Sequence, residues 1–208
     1  MSRSPIPFPF GAIVFLASAP PRPPLDRAAV GHRDCDPSES PPHADAVASI
    51  VALKPVLVLT SDLRQDTFAA LRVADAGGIP LAFDPRLRDR AFGAWEGRTW
   101  TDLVATVPEV PEFLANFDSA TPPGGESLAQ VASRAEALLS DTLLKRHRQT
   151  IAVVASPTVI RAVTASALRI PQQVTCRWRI DPHSTTGLRS EGTFSTLVWV
   201  NRFGASLF

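Results

Sequence analysis

Short apolar runs alternate along this chain with longer segments whose apolar residues recur at helical spacing. Residues 12–16, 56–60 and 151–155 are almost continuously apolar, which is typical of strands that are buried on both faces. The segments between them carry helix signals, such as the Gly77-Gly78 pair that ends the segment after the second strand. This order predicts an α/β fold, a three-layer α/β/α sandwich around a mostly parallel central sheet.

Cap signals and periodicity place the other elements. A capping box at Ser127 and Gln130 opens the longest helix, and Ser156-Pro157 provides the N-cap and first residue of another. A long Pro-rich loop at 19–43 shows no periodicity, and loops of this length usually lie over sites. The remaining predictions are helices at 44–53, 61–76 and 100–107 and strands at 80–83, 177–181, 186–189 and 194–200.

Composition supports one globular domain and excludes some partners. The 208 residues are 45% hydrophobic and 20% charged, so we expect a single domain over 1–208 with 1–10 as a flexible extension. The net charge of +1 suggests neither nucleic-acid nor membrane binding. Cys35 and Cys176 do not make a disulfide framework, which favours the cytoplasm.

The N-terminus leaves one alternative open. The apolar run at 8–16 is followed by Ala17-Ser18-Ala19, a pattern that resembles a signal-peptidase site, so the protein could be secreted and cleaved after Ala19. Cleavage there would remove the first predicted strand, and we therefore favour a cytoplasmic protein. No apolar stretch reaches the roughly 20 residues of a membrane-spanning helix.

Four motifs lie in order along the chain, and together they resemble the histidine phosphatase (phosphoglycerate mutase-like) superfamily. They are TSDL at 60–63, LRDRAFGAWEG at 87–97, PPGGES at 122–127 and VIRA at 159–162. The first follows the second strand and the last opens a helix, as in that family. The resemblance covers nearly the whole chain and implies the family's three-layer fold.

The positions that carry chemistry in the family differ here. Ser18 stands where the resemblance places the phosphoryl-accepting histidine, and Ser156 where it places the second histidine. Gln65 replaces an expected arginine, and Asp89 replaces the glutamate that acts as general acid. We therefore interpret the chain as a divergent member that lacks the catalytic His and Arg residues. A phosphate dianion would lose charge-assisted hydrogen bonds worth roughly 1.5–3 kcal/mol each.

These substitutions predict a non-phosphatase. The scaffold motifs are intact while the catalytic positions have changed, which suggests an old pocket that now holds a neutral or cationic small molecule. One hypothesis is a repurposed enzyme, such as a biosynthetic tailoring enzyme, that guides a cyclisation, isomerisation or elimination. The alternative is a catalytically inactive protein that binds a ligand or another protein, and a residual phosphomonoesterase is less favoured. No cofactor is expected, and the oligomeric state is left open.

Seven residues are the candidates for the site. Asp89, His183 and Ser18 are the catalytic candidates; His183 falls in a segment that borders the family's pocket, where it could partner Asp89. The ligand-binding candidates are Ser156, Gln65, Glu126 and Trp100. For each a structural role is the competing interpretation: an N-cap for Ser156, a helix N-terminal charge for Glu126, a core or solvated imidazole for His183. The polar residues of the long loop, among them His32 and Cys35, fit no standard metal-ligand spacing, and no metal is assigned.

Overall fold

The computed structural model describes residues 11–38, 41–145, 148–190 and 195–203. The predicted extension at 1–10 lies outside these residues. The described residues contain a six-stranded sheet in the order β3-β2-β4-β1-β5-β6. Its strands are β1 (Ala12–Ala17), β2 (Leu57–Thr60), β3 (Leu81–Phe83), β4 (Thr150–Ala155), β5 (Thr185–Ser190) and β6 (Ser195–Arg202).

Parallel pairing dominates one side of the sheet. β1, β4, β2 and β3 run parallel to one another, whereas β5 runs antiparallel to β1 and β6 antiparallel to β5. The sheet is therefore mixed, and its two antiparallel strands follow one another in sequence, where a short connection suffices. The prediction of a mostly parallel α/β sheet is confirmed.

Helices cover both faces of the sheet. They are α1 (Ala44–Ala52), α2 (Arg64–Gly77), α3 (Trp100–Thr106), α4 (Val110–Ala115), α5 (Leu128–Lys145) and α6 (Pro157–Ala167). Alternate side chains of β1 point to opposite faces. Val14 and Leu16 pack with α1 and α2, while Ile13 and Phe15 pack with α5 and α6. This arrangement is the predicted three-layer sandwich.

Three details of the sequence prediction are wrong. Residues 177–181 form no strand, because the chain there leaves a 3₁₀ helix at Gln172–Arg177. α2 begins at Arg64 instead of Ser61, since the Ser61 hydroxyl accepts from Leu63 N and donates to Asp66. α4 was not predicted, because its six residues are too short to show a helical period.

No helix among the described residues is long and apolar enough to cross a membrane. β1 lies between β4 and β5, and the burial of all six of its residues explains its continuous apolar run.

Candidate active site

A cavity of about 460 Å³ opens where β1 and β4 end. The carboxyl ends of parallel strands meet at one edge of the sheet, which is where α/β proteins usually bind ligands. The described part of the loop at 19–43 reaches this edge and contributes Pro20, Leu25 and Val30 to the wall. The lining residues used below are Ser18, Leu25, Val30, Gln65, Asp89, Phe92, Trp100, Leu114, Phe117 and Ser156.

Two serines end the two central strands and face this cavity. Ser18 follows β1 and is tied to β4 by a hydrogen bond from its backbone N to Ala155 O of 2.9 Å. Ser156 follows β4 and caps α6, since its Oγ accepts from Val159 N at 3.3 Å. The predicted N-cap role of Ser156 is confirmed. Both serines are buried apart from the face that lines the cavity.

Asp89 is bonded to the second serine. Ser156 Oγ donates to Asp89 Oδ1 at 2.8 Å, and the backbone N of Arg90 donates to the same oxygen at 2.7 Å. Its backbone carbonyl accepts from His32 Nε2 at 2.9 Å and from Arg134 at 2.8 Å. The carboxylate is thereby fixed at the cavity wall, with Oδ2 not hydrogen-bonded to any described residue.

Asp66 was not a candidate from the sequence; it does not line the cavity but follows the lining residue Gln65. It is 1% exposed, and Ser61 Oγ donates to its Oδ2 at 2.5 Å. Its Oδ1 has no hydrogen-bond partner among the described residues. Burial raises the pKa of this carboxyl to about 7, although the hydroxyls of Ser61 and Ser18 oppose that rise and Asp89 adds to it. An ionisable group with a shifted pKa beside a cavity is typical of a functional site.

The only sequence signal for Asp66 was its place one residue after Gln65 on a helix that starts behind the sheet edge. Its environment comes from tertiary contacts, because Ser18 is distant in sequence. Ser18 lies close enough to affect the pKa of Asp66, but it is not in hydrogen-bonding geometry with Oδ1. Ser18 thus has a carboxyl in its neighbourhood.

Gln65 lies in the cavity wall as predicted. Its Oε1 accepts from Cys35 Sγ at 3.3 Å, which turns the amide nitrogen away from that contact and makes it available to a ligand. Burial, followed by the charge of Asp34, raises the pKa of Cys35 to about 11. The thiol therefore stays protonated near neutral pH and serves as a hydrogen-bond donor.

Trp100 lines the cavity within an aromatic cluster. Its ring lies edge-on to Phe92, with centroids 5.3 Å apart, and stacks on Phe113 at 6.3 Å. Phe117 packs against Phe113 at 5.5 Å. Aromatic pairs of this kind hold one another in place, so the wall that Trp100 provides is preformed.

Glu126 does not line the cavity. Its carboxylate accepts from Arg134 at 2.8 and 2.9 Å and from Ala91 N at 3.0 Å. Burial alone would raise its pKa, but the hydrogen bonds from Arg134 and Ala91 outweigh that and lower it. The carboxylate joins the loop before α5 to the segment that holds Asp89, which is the structural role and not the predicted ligand contact.

His183 is also absent from the lining residues. It is 5% exposed, and its ring lies 6.2 Å from that of His43 in an edge-on contact. Burial, with a smaller contribution from His43, lowers its pKa. Its neighbour Pro182 reaches the cavity, but the structure does not bring the imidazole to Asp89 as the prediction requires. The carboxylate of Asp89 is bonded to Ser156 instead.

The polar residues of the long loop are used in ion pairs. Asp34 and Asp36 both bind the Arg64 guanidinium, at 3.0 and 2.7 Å. Within the described ranges, no three His, Cys, Asp or Glu side chains are grouped as metal ligands.

A three-layer α/β/α fold with a cavity at the carboxyl ends of its parallel strands is typical of a phosphoglycerate mutase-like protein. The model of the histidine phosphatase superfamily (branch 1) matches residues 43–202. The chain therefore belongs to the histidine phosphatase superfamily, as the motifs indicated.

Curated relatives are phosphatases. Over 138 residues the chain is 33% identical to a glucosyl-3-phosphoglycerate phosphatase of Mycolicibacterium vanbaalenii, a match that covers 62% of this chain and 60% of that protein. It is 27% identical to the adenosylcobalamin/alpha-ribazole phosphatase of Escherichia coli K12, over 70% of this chain and 72% of that protein. The chain thus spans only about three fifths of the mycobacterial relative.

Solved structures agree in fold. A mycobacterial glucosyl-3-phosphoglycerate phosphatase in complex with VO3 superposes with a TM-score of 0.78 at 26% identity, covering 91% of this chain and 98% of that one. The same enzyme with inorganic phosphate gives a TM-score of 0.77, covering 92% and 97%.

These relatives contradict the prediction of a non-phosphatase, either as a repurposed enzyme or as an inactive binding protein. They point to phosphatase function. The prediction was based on four sequence positions that we interpreted as substituted, and it could not take into account the buried Asp66 carboxyl near Ser18.

Proposed function

We propose that this protein hydrolyses a phosphomonoester in the cavity at the sheet edge. The observation that carries the proposal is the convergence of Ser18, Ser156, Gln65 and Asp89 on one cavity in a member of a superfamily whose curated relatives are phosphatases. The Gln65 amide and the N-terminus of α6 supply hydrogen-bond donors for a phosphoryl group, whereas the Ser156 hydroxyl proton is already donated to Asp89.

In this proposal the chain departs from its superfamily in the catalytic side chains. Ser18 and Ser156 occupy the positions where the resemblance places the two histidines, and Gln65 that of an arginine. Ser18 is then the nucleophile, because it ends the central strand at the cavity floor and lies beside the buried carboxyl of Asp66. A hydroxyl needs such a neighbouring base to attack phosphorus.

The steps follow from these positions. The ionised form of Asp66 takes the proton of Ser18 as the Oγ–P bond forms and the bond from phosphorus to the ester oxygen breaks. Asp89 donates a proton to the departing oxygen, which leaves as an alcohol. Asp89, now ionised, takes a proton from water as the water oxygen bonds to phosphorus. The bond from phosphorus to Ser18 Oγ breaks, Asp66 returns its proton to Oγ, and inorganic phosphate leaves. No group beyond water and the ester is consumed.

Residues up to Ala19 belong to the working protein in this proposal. β1 lies between two strands and its end carries Ser18, so cleavage after Ala19 would remove both the strand and the nucleophile. This supports a cytoplasmic location over secretion with cleavage at that site.

The test is hydrolysis of phenyl phosphate by Ser18→Ala. We expect the parent protein to release phosphate above the enzyme-free rate and Ser18→Ala to fall to that rate. Ser49→Ala is the matched control, since Ser49 is equally buried but lies on α1, away from the cavity wall. An acid-quenched reaction should retain a phosphoryl adduct on Ser18 by peptide mass analysis, because phosphoserine survives acid.

Two results would count against the proposal. A folded parent protein with no hydrolysis above background would contradict phosphomonoesterase function. Full activity in Ser18→Ala would leave the phosphatase in place but remove Ser18 as its nucleophile.

A further inference from the structure

The cavity has two chemically different parts. Its polar groups, those of Ser18, Gln65, Asp89 and Ser156, come from the ends of β1 and β4 and the segments beside them. The rest of the wall is largely apolar and comes from the long loop, α3, α4 and the adjoining turns. The apolar members used here are Leu25, Val30, Phe92, Trp100, Leu114 and Phe117.

No lysine, arginine or histidine is among the described residues that line the cavity. Beside the apolar wall, a carboxylate on the organic part of a substrate would lose its hydration and gain no polar partner, whereas the phosphoryl group meets the polar end. The sugar hydroxyls of a carbohydrate phosphate would likewise meet mainly carbon, and burying a hydroxyl without a partner is unfavourable. The wall therefore disfavours acidic and sugar-like groups.

The apolar wall is also rigid and partly aromatic. Phe92 and Trp100 meet edge to face, and Phe117 is held through Phe113. The Arg90 guanidinium, itself 0% exposed, lies 4.6 Å from the Phe117 ring centroid and donates to the backbone carbonyl of the same residue at 2.6 Å. A preformed aromatic surface binds flat apolar groups at little cost in conformational entropy.

We infer that the substrate is a phosphomonoester of an uncharged, apolar alcohol with an aromatic ring. This inference rests on the proposed function, since it assigns the organic group to the apolar wall while the phosphoryl group takes the polar end. The substrate class then differs from that named for the glucosyl-3-phosphoglycerate relatives, which carries a sugar and a carboxylate.

The experiment compares 2-phenylethyl phosphate with glucose 6-phosphate. Both are phosphates of primary alcohols, so their leaving groups are similar. A difference in kcat/KM between them therefore reports on how the organic part binds. We expect kcat/KM to favour the phenylethyl ester by about tenfold or more, the ratio that 1.4 kcal/mol provides.

A matched pair of variants tests whether the cavity wall causes the preference for the phenylethyl ester. Leu114, on α4, lines the cavity and is 42% exposed, whereas Leu71, on α2, is 47% exposed and is not a lining residue. Leu114→Ser should reduce the preference several-fold by raising KM for the phenylethyl ester, and Leu71→Ser should leave it unchanged.

Binding without turnover is measured separately, as the thermal shift produced by 2-phenylethanol. A preference for glucose 6-phosphate would overturn the inference while the phosphatase proposal stands. A thermal shift with 2-phenylethanol that Leu114→Ser reduces, but no hydrolysis of either ester, would support the apolar pocket and contradict the proposed function. Neither shift nor hydrolysis would overturn both.

Discussion

At the scale of single residues, the carboxyl of Asp66 is the least expected feature of this protein. A buried acid that has lost hydration prefers its neutral form unless hydrogen bonds support the charge. Here one oxygen accepts from Ser61 and the other has no partner among the described residues. The loss of hydration outweighs the hydrogen bonds and raises the pKa of Asp66 to about 7. The group can therefore exchange a proton near neutral pH.

The raised pKa predicts a specific dependence of stability on pH. The unfolded chain releases the Asp66 proton near its ordinary pKa of 3.8, whereas the folded protein keeps it until about 7. The stabilisation is therefore full below pH 3.8 and is lost as pH rises through about 7. Asp66→Asn should remove this component, so its melting temperature should fall less between pH 4 and pH 7 than that of the parent protein.

Thermal melts at several pH values check this prediction. Asp102→Asn is the control, since Asp102 is an exposed carboxylate on α3 that pairs with Arg98 at the surface. Parallel melting curves for the parent and Asp66→Asn across this window would contradict a raised pKa at Asp66.

At the scale of elements, two serine N-caps of this protein have different roles, because one only caps its helix and the other also contacts a site residue. Ser127 caps α5 through a box with Gln130, with bonds of 2.8 and 3.2 Å. Ser156 caps α6 and also donates to Asp89. Both caps are serines, but only the second lies where a parallel strand ends at the cavity. A cap at that edge holds a helix and a site residue together.

The two caps give a paired prediction. Ser156→Ala and Ser127→Ala should each lower the free energy of unfolding by about 1 kcal/mol, the usual value of an N-cap. Only Ser156→Ala should also lower kcat/KM for phenyl phosphate, because it removes the hydrogen bond that orients Asp89. Urea unfolding and steady-state kinetics measure the two effects, and equal kinetic losses in both variants would argue against a site role for Ser156.

At the scale of the whole molecule, the position of β1 decides whether the chain can fold. It pairs with β4 over six positions and with β5 over five, and its side chains join the clusters on both faces of the sheet. β1 and β5, which are far apart in sequence, thus pair inside the sheet. Losing this strand would separate β5 and β6 from the parallel strands.

We therefore predict that a chain beginning at Pro20, the product of cleavage after Ala19, does not fold. Its far-ultraviolet circular dichroism should lack the signal of the full chain, and it should show no cooperative thermal transition. A cooperative transition in the shortened chain would contradict the central role of β1 and would reopen secretion with cleavage at this site.

Much of the fold could be predicted from the sequence, and the site only in part. Apolar runs, capping boxes and the motifs of the superfamily located most elements, because each of these signals is local. Ser18, Gln65, Asp89, Ser156 and Trp100 line the cavity, and their catalytic and ligand-binding roles stay predictions. His183 and Glu126 do not line it, and sequence position alone does not say whether a side chain turns toward a cavity or away from it.

The sequence by itself determined the α/β layers, the superfamily and the identity of the side chains at the sheet edge, since these depend on periodicity and on residues adjacent in the chain. Only the tertiary structure decided what surrounds those side chains. It placed the Asp66 carboxyl beside Ser18, bonded Asp89 to Ser156 and turned an aromatic wall toward the cavity. Burial and contacts between distant segments set the pKa of a carboxyl and the polarity of a pocket, and neither is encoded at any single position.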